Sequence, residues 1–160
     1  MDKKSQIWYT DFIVGIFIFF IVILVYYGYA HSFNQNPSST ASDLLMDAKT
    51  ISQSLVAQGF PSGWNQSDVQ IIGLTDGNYR LNSTKLGIFA DMEYSSLKAR
   101  LRTSYEFYFY LEEVNGSRIL INGKEGVGLP GENSKNLVSI IRVVIFNSRL
   151  INMVVNVWQP

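Results

Sequence analysis

Phe12–Ala30 reads FIVGIFIFFIVILVYYGYA, and none of these residues is charged. An α-helix rises about 1.5 Å per residue, so a helix of this length crosses a hydrocarbon core of roughly 30 Å. Within lipid the backbone must satisfy its own hydrogen bonds, and a helix is the structure that does so in a single span. We therefore predict a transmembrane helix over residues 12–30, flanked by aromatic residues at both ends: Trp8, Tyr9, Tyr26, Tyr27 and Tyr29.

The flanks of this stretch predict its orientation. Lys3 and Lys4 are the basic residues on its N-terminal side, and no Lys or Arg follows it until Lys49. Basic residues accumulate on the cytoplasmic side of membrane proteins. We therefore expect residues 1–11 to form a basic cytoplasmic leader and boundary. The chain beyond the helix is expected outside the cytoplasm, as a single-pass membrane protein.

Residues 31–42 are predicted to form a polar linker, and residues 43–160 to form one extracytoplasmic α+β domain. The linker is rich in Asn and Ser, and Pro37 is expected to interrupt any helix that continues out of the membrane. Thr40 or Ser42 can then cap the first helix of the domain. That helix is indicated by apolar residues at helical spacing: Leu44, Leu45, Ala48, Ile51, Leu55 and Val56.

The rest of the domain is predicted to contain two short helices and an antiparallel β-sheet. The helices are expected at Leu86–Met92, which starts after Asn82, and at Ser95–Arg102. Three hairpins are indicated by β-branched and aromatic runs separated by turn residues: Val69–Leu74 with Tyr79–Leu81, Tyr105–Val114 with Arg118–Ile121, and Val138–Phe146 with Ile151–Trp158. The strands of the last pair are the most apolar and are expected in the centre of the sheet. The fold class is α+β, an amphipathic helix packed on an antiparallel sheet.

Composition and motifs argue against catalysis and against nucleic-acid binding. The chain has no cysteine, one histidine, and equal numbers of basic and acidic residues, 13 of each. That histidine, His31, follows the apolar stretch and is interpreted as an interfacial polar residue. Gly126–Gly131 spells G-x-G-x-x-G, but no helix pattern follows it as a dinucleotide site requires. We expect a non-enzymatic protein without a metal or cofactor.

Three Asn-x-Ser/Thr triplets agree with an extracytoplasmic domain and are candidate N-glycosylation sites. They begin at Asn65, Asn82 and Asn115. Such triplets are frequent in a sequence rich in Asn and Ser, so they support the topology weakly.

Asp11 stands at the boundary between the polar N-terminal tail and the apolar run. One interpretation is a helix N-terminal residue, since a carboxylate there interacts favourably with the helix dipole. The other is a charge at the membrane that requires a cationic partner from another chain, because carboxylates near lipid are costly unless paired. The sequence leaves both open.

The N-terminal residues MDKKSQIWYTDFIVGIFIFFIVILV resemble the class III signal of type IV pilin-like proteins, particularly the archaeal ones. Lys3 and Lys4 are similar to the basic leader, Ser5, Gln6 and Ile7 to the cleavage region, and Asp11 to the acidic position in the helix. The resemblance covers about the first 30 residues. It implies that a prepilin peptidase removes the leader on the cytoplasmic side, after Ser5 or after Gln6.

The resemblance further implies that the helix is stored in the membrane and then packs into a filament core. The Asp11 carboxylate would pair there with the new N-terminus of a like or related subunit. The expected function is that of a minor pilin or pseudopilin in a surface filament or a secretion-type machine. The alternative is an uncleaved, signal-anchored binding or accessory protein that does not polymerise.

Overall fold

A computed structural model of the chain describes residues 3–33, 37–131, 134 and 136–159; side chains are described from residue 9, except at 30–39. Contacts separate two compact units, Met1–Thr40 and Ala41–Pro160. The described residues form an α+β protein whose elements follow one another as α1 (Lys3–Phe33), α2 (Pro37–Leu55), α3 (Ser83–Asp91), α4 (Tyr94–Leu101), β1 (Glu106–Glu113), β2 (Arg118–Ile119), β3 (Val127–Gly128), β4 (Leu137–Phe146) and β5 (Arg149–Trp158).

The N-terminal helix is longer than the apolar stretch that predicted it. α1 begins at Lys3 and ends at Phe33. Once an apolar helix has formed, each added residue gains a hydrogen bond without a new nucleation cost, so polar flanks continue it. α1 therefore includes the backbone of the predicted leader residues from Lys3 onward.

Residues 37–42 of the predicted polar linker are helical and belong to α2. The helix begins at Pro37, so Thr40 and Ser42 lie inside it and do not cap it. Residues 34–36, which would decide whether α1 and α2 form one continuous helix, lie outside the described part of the chain.

The sheet is antiparallel in every pairing, with the strand order β2-β1-β5-β4 and with β3 also paired to β1. The hairpins β1–β2 and β4–β5 are confirmed. The β4–β5 turn consists of Asn147 and Ser148, both with positive φ, 48° and 63°. Positive φ at both central residues is the requirement of a type I′ turn, whose twist matches that of the strands.

One face of the sheet shares a hydrophobic core with the helices. Phe107, Phe109 and Leu111 of β1 are fully buried on this inner face. The ring of Phe89 in α3 meets that of Phe109 edge-on at 5.3 Å. α2 contributes the predicted apolar residues up to Leu55, all buried except Leu45, which is 50% exposed; Val56 follows the helix and is partly buried. The predicted packing of apolar helix faces on an antiparallel sheet is thus confirmed.

The expectation that both last strands are central is half right. β5 lies between β1 and β4, whereas β4 forms an edge. Residues of β4 alternate between buried or half-buried and exposed positions up to Val144. Its long apolar run therefore reflects an exposed apolar face and not burial on both sides of the sheet.

The predicted hairpin of Val69–Leu74 with Tyr79–Leu81 forms only next to its turn. There Thr75 and Leu81 make an antiparallel bridge, and the Asn82 N–H donates to the Leu74 carbonyl at 2.8 Å. The preceding segment pairs instead with the chain that leaves α2: Phe60 N–H donates to the Ile71 carbonyl at 2.9 Å, and Leu74 N–H to the Leu55 carbonyl at 2.8 Å. The local sequence pattern indicates an extended segment at residues 69–74, but tertiary contacts determine which segment it pairs with.

Candidate functional site

The described part of the chain contains one helix long and apolar enough to cross a membrane, by length and composition. This span is Tyr9–Tyr29, 21 residues with a mean hydropathy of 2.5, and none of it is buried within the chain. At about 1.5 Å per residue it is roughly 32 Å long. Its large apolar side chains are exposed to the surroundings, as Phe12, Phe17 and Leu24 illustrate. Lipid or another protein is the environment that such a surface requires.

Asp11 is exposed and lies two residues inside this span. Gly15 follows one helical turn later, and the position of its missing Cβ is open space. No charged residue occurs between Asp11 and Asp43 in the sequence, so the rest of the span offers this carboxylate no partner. The carboxylate and the adjoining glycine gap form an accessible polar position on an otherwise apolar helix surface.

The predicted leader residues lie on the backbone of α1, but their side chains fall outside the described part of the chain. This applies to the basic pair Lys3 and Lys4 and to the cleavage region Ser5, Gln6 and Ile7. In a continuous helix, Ile7 precedes Asp11 by four residues, which places both on one face.

The three sequon asparagines have different environments. Asn65 and Asn115 are exposed, and the Oδ1 atom of each accepts the N–H of the serine two residues later, at 2.9 Å. Asn82 is the N-cap of α3: its Oδ1 accepts the Lys85 N–H at 3.0 Å. Its Nδ2 also donates to both carboxylate oxygens of Asp76, at 2.8 and 3.0 Å. Asn82 thus has a structural role, whereas Asn65 and Asn115 lie in exposed loops, where their Nδ2 atoms donate to Asp68 and Glu113.

Lys85 is a buried cation that the sequence analysis missed. Its Nζ donates to the carbonyls of Gln58, at 3.0 Å, and Thr75, at 2.9 Å, and lies 3.6 Å from Asp76. Buried ammonium groups require such partners. Lys85 therefore connects α3 to two loops. Its Nζ hydrogen bonds go to these protein groups, so Lys85 is assigned a structural role.

A second missed cluster joins α4 to β1. Tyr94 donates its hydroxyl hydrogen to Glu106 at 2.5 Å, and Lys98 Nζ lies 2.7 Å from the other carboxylate oxygen. The hydrogen bonds from Lys98 and Tyr94 lower the pKa of Glu106 below its usual range. Burial and the contact with Glu106 raise the pKa of Tyr94. Lys98 lies in the basic run Lys98–Arg102, a pattern typical of a solvated helix face, which does not indicate its pairing with β1.

Replacing Glu106 by glutamine is expected to lower the free energy of unfolding by about 1–3 kcal/mol at neutral pH, because two charge-assisted bonds are lost. The folded pKa of Glu106 is lowered. Its contribution is therefore present above the unfolded value of about 4.3 and is lost as the pH falls through the folded value. Urea unfolding of the detergent-solubilised chain, followed by tryptophan fluorescence at several pH values, measures this. Glu112→Gln is the matched control, because the Glu112 carboxylate accepts only a 3.5 Å bond from Asn152 Nδ2, which a glutamine oxygen can also accept. Equal losses in both variants would contradict the assignment.

The remaining motifs do not form a reactive site. Val127 and Gly128 of the G-x-G-x-x-G run form β3 and pair with β1, so this run is not a strand-to-helix turn. Glu112 and Glu113 are neighbours on β1 and extend to opposite faces of the sheet. Among the residues that the structure describes, no three His, Cys, Asp or Glu side chains are grouped to hold a metal ion. Asp11 remains as an exposed carboxylate on an apolar helix, and the apolar run that follows it contains no cation.

Comparisons with known proteins add no relative: no protein-family model, no curated protein and no solved structure matches this chain.

Proposed function

We propose that this chain is a membrane-anchored type IV pilin-like subunit, a minor pilin or pseudopilin with a structural role in a surface filament or secretion-type machine. The observation that carries the proposal is Asp11, a carboxylate near the start of an exposed apolar span and a few residues after a basic leader. The span supplies the anchor, with the N-terminus in the cytoplasm and the α+β domain outside. The proposal includes no enzymatic activity, no cofactor and no nucleic acid.

The physical argument concerns what a carboxylate at this position can contact. A charge at the edge of lipid reaches headgroups and water at modest cost, but the same charge inside a helix bundle requires a cation. α1 supplies none beyond the leader, since Lys and Arg are absent until Lys49. Removal of the leader after Ser5 or Gln6 would create an α-amine close to Asp11. The ammonium group of a neighbouring subunit then neutralises the carboxylate when the helices pack together.

The proposal predicts that the protein occurs both in membranes and in filaments sheared from the cell surface. Antibody detection in the membrane fraction and in the high-molecular-weight sheared fraction tests it. An abundant membrane protein that does not enter filaments is the marker that controls for membrane fragments in the sheared fraction. Detection in membranes alone, under conditions in which filaments are recovered, would contradict a filament role.

The alternative is an uncleaved, signal-anchored binding or accessory protein that does not polymerise. One sequence feature favours it: Pro37 disfavours a helix that continues out of the membrane, whereas pilin-like helices commonly run unbroken into the head. Such a protein would keep Met1 and would be absent from the sheared fraction. The same fractionation therefore separates the two functions.

A further inference from the structure

The edge strand β4 has a row of backbone groups that face away from the sheet. In its two-residue hairpin, Phe146 and Arg149 are register partners next to the turn and exchange both hydrogen bonds. Every second residue of β4, counted back from Phe146, therefore forms backbone hydrogen bonds with β5. The N–H and C=O groups of the residues between them point away from β5. Ile145 confirms this phase, because its N–H donates to the Tyr79 carbonyl and its carbonyl accepts the Leu81 N–H, both at 2.9 Å.

Four further residues of β4 have the same outward phase: Leu137, Ser139, Ile141 and Val143. Within the part of the chain that the structure describes, no hydrogen bond to their outward backbone groups is present. The free edge is thus a continuous row of four donor–acceptor pairs that ends where residues 79–81 cover Ile145. Leaving such a row open invites pairing with another strand.

The side chains along this edge do not protect it. Ile141 is 58% exposed and Val143 59% exposed, on the face of the sheet opposite the core. The charged residue of β4, Arg142, lies on the inner face within 3.4 Å of Ser52 in α2. Edge strands are usually protected by charged side chains, by proline or by a bulge, and Leu137–Val143 has none of these on its exposed face.

We propose that this free edge pairs with the same edge of a second copy, antiparallel across a two-fold axis. In the register that uses all four residues, Leu137 lies opposite Val143 and Ser139 opposite Ile141. Each outward N–H then meets a carbonyl of the partner, because antiparallel pairing aligns this row with itself. The facing side chains carry no charge, so the two copies meet without like-charge repulsion.

The other edge of the sheet is unsuited to receive β4. It consists of two strands of two residues each, β2 and β3. Arg118 of β2 packs its guanidinium over the Tyr110 ring, 3.2 Å from the ring centroid. A head-to-tail contact from β4 to this edge would leave half of the free row unpaired. Pairing of β4 with β4 satisfies the whole row and closes as a dimer.

Cross-linking in native membranes tests the proposal directly, because the chain contains no cysteine. In the proposed register the two Ser139 residues are diagonal cross-strand neighbours, with Cα atoms about 7–8 Å apart. Full-length protein carrying Ser139→Cys is expected to form a covalent dimer with a short bis-maleimide of about that span. Ser62→Cys, at an exposed loop position, is the matched control and is expected to give at least tenfold less dimer.

A second test places a charge on the free edge of β4. Adding Ile141→Lys to Ser139→Cys is expected to reduce the dimer at least tenfold, since two ammonium groups would then lie next to the axis. Leu150→Lys places the same charge at an exposed position on β5, beyond the free edge, and is expected to leave the dimer unchanged. Equal cross-linking at Ser139 and Ser62, insensitivity to Ile141→Lys, or linkage of Ser139→Cys to a different protein would each overturn the proposal. None of these outcomes bears on leader cleavage or Asp11.

Discussion

Asp11→Ala is expected to leave the protein in the membrane and to remove it from sheared filaments. The substitution makes the span more apolar, so insertion is retained. In a filament core, however, it leaves a neighbour's α-ammonium group without a counter-charge. Removing one partner of a buried ion pair costs about 3–5 kcal/mol, which corresponds to a hundredfold or greater loss of incorporation. Immunoblots of membrane and sheared fractions measure both parts of this result.

Two controls isolate the charge at Asp11. Asp11→Glu keeps a carboxylate one methylene farther from the backbone and is expected to restore most of the incorporation. Asp43→Ala removes an exposed carboxylate from α2 and is expected to change neither fraction. Unchanged incorporation of Asp11→Ala would refute the pairing role and favour a helix N-terminal role for this residue.

Much of the fold could be predicted because its signals are local. The apolar run over residues 12–30 predicted α1, and the apolar stripe from Leu44 to Leu55 predicted α2. Turn residues predicted the hairpins that end in Asn115-Gly116 and in Asn147-Ser148. Non-local pairing was not predictable: nothing in Val69–Leu74 shows that its backbone bonds to the chain after α2. The edge position of β4 also depends on which strands its neighbours choose, and its composition is that of a central strand.

The residues of the candidate site also differ in whether the sequence alone could identify them. Asp11 was identifiable because a charge beside a long apolar run is visible in the sequence. Asn82 was expected to start α3 and does so, but its bonds to Asp76 require the turn that brings residue 76 to the helix start. Glu106 lies on β1 and Lys98 on α4, so their ion pair depends on how these two elements pack. The free edge of β4 is a property of backbone groups after folding, which no residue pattern displays.

Removal of the leader is the second large effect expected, because it is an all-or-none change in the chain. A cut after Ser5 or after Gln6 removes Lys3 and Lys4 and leaves a free α-amine at Gln6 or Ile7. Such an amine has a pKa of about 7.7–8.0 and is largely protonated at neutral pH. In a helix, Ile7 lies one turn before Asp11, so the cut would place a positive charge at the depth of the carboxylate. Without the cut, the amine stays at Met1, outside that helix turn.

N-terminal sequencing of the protein extracted from native membranes is the most direct test of the proposed filament subunit. A sequence that begins at Gln6 or Ile7 is the result expected. Protein produced without a prepilin peptidase controls for adventitious proteolysis and is expected to begin at Met1. An intact Met1 in the native membrane, with the peptidase present, would contradict the proposed function and leave an uncleaved membrane anchor.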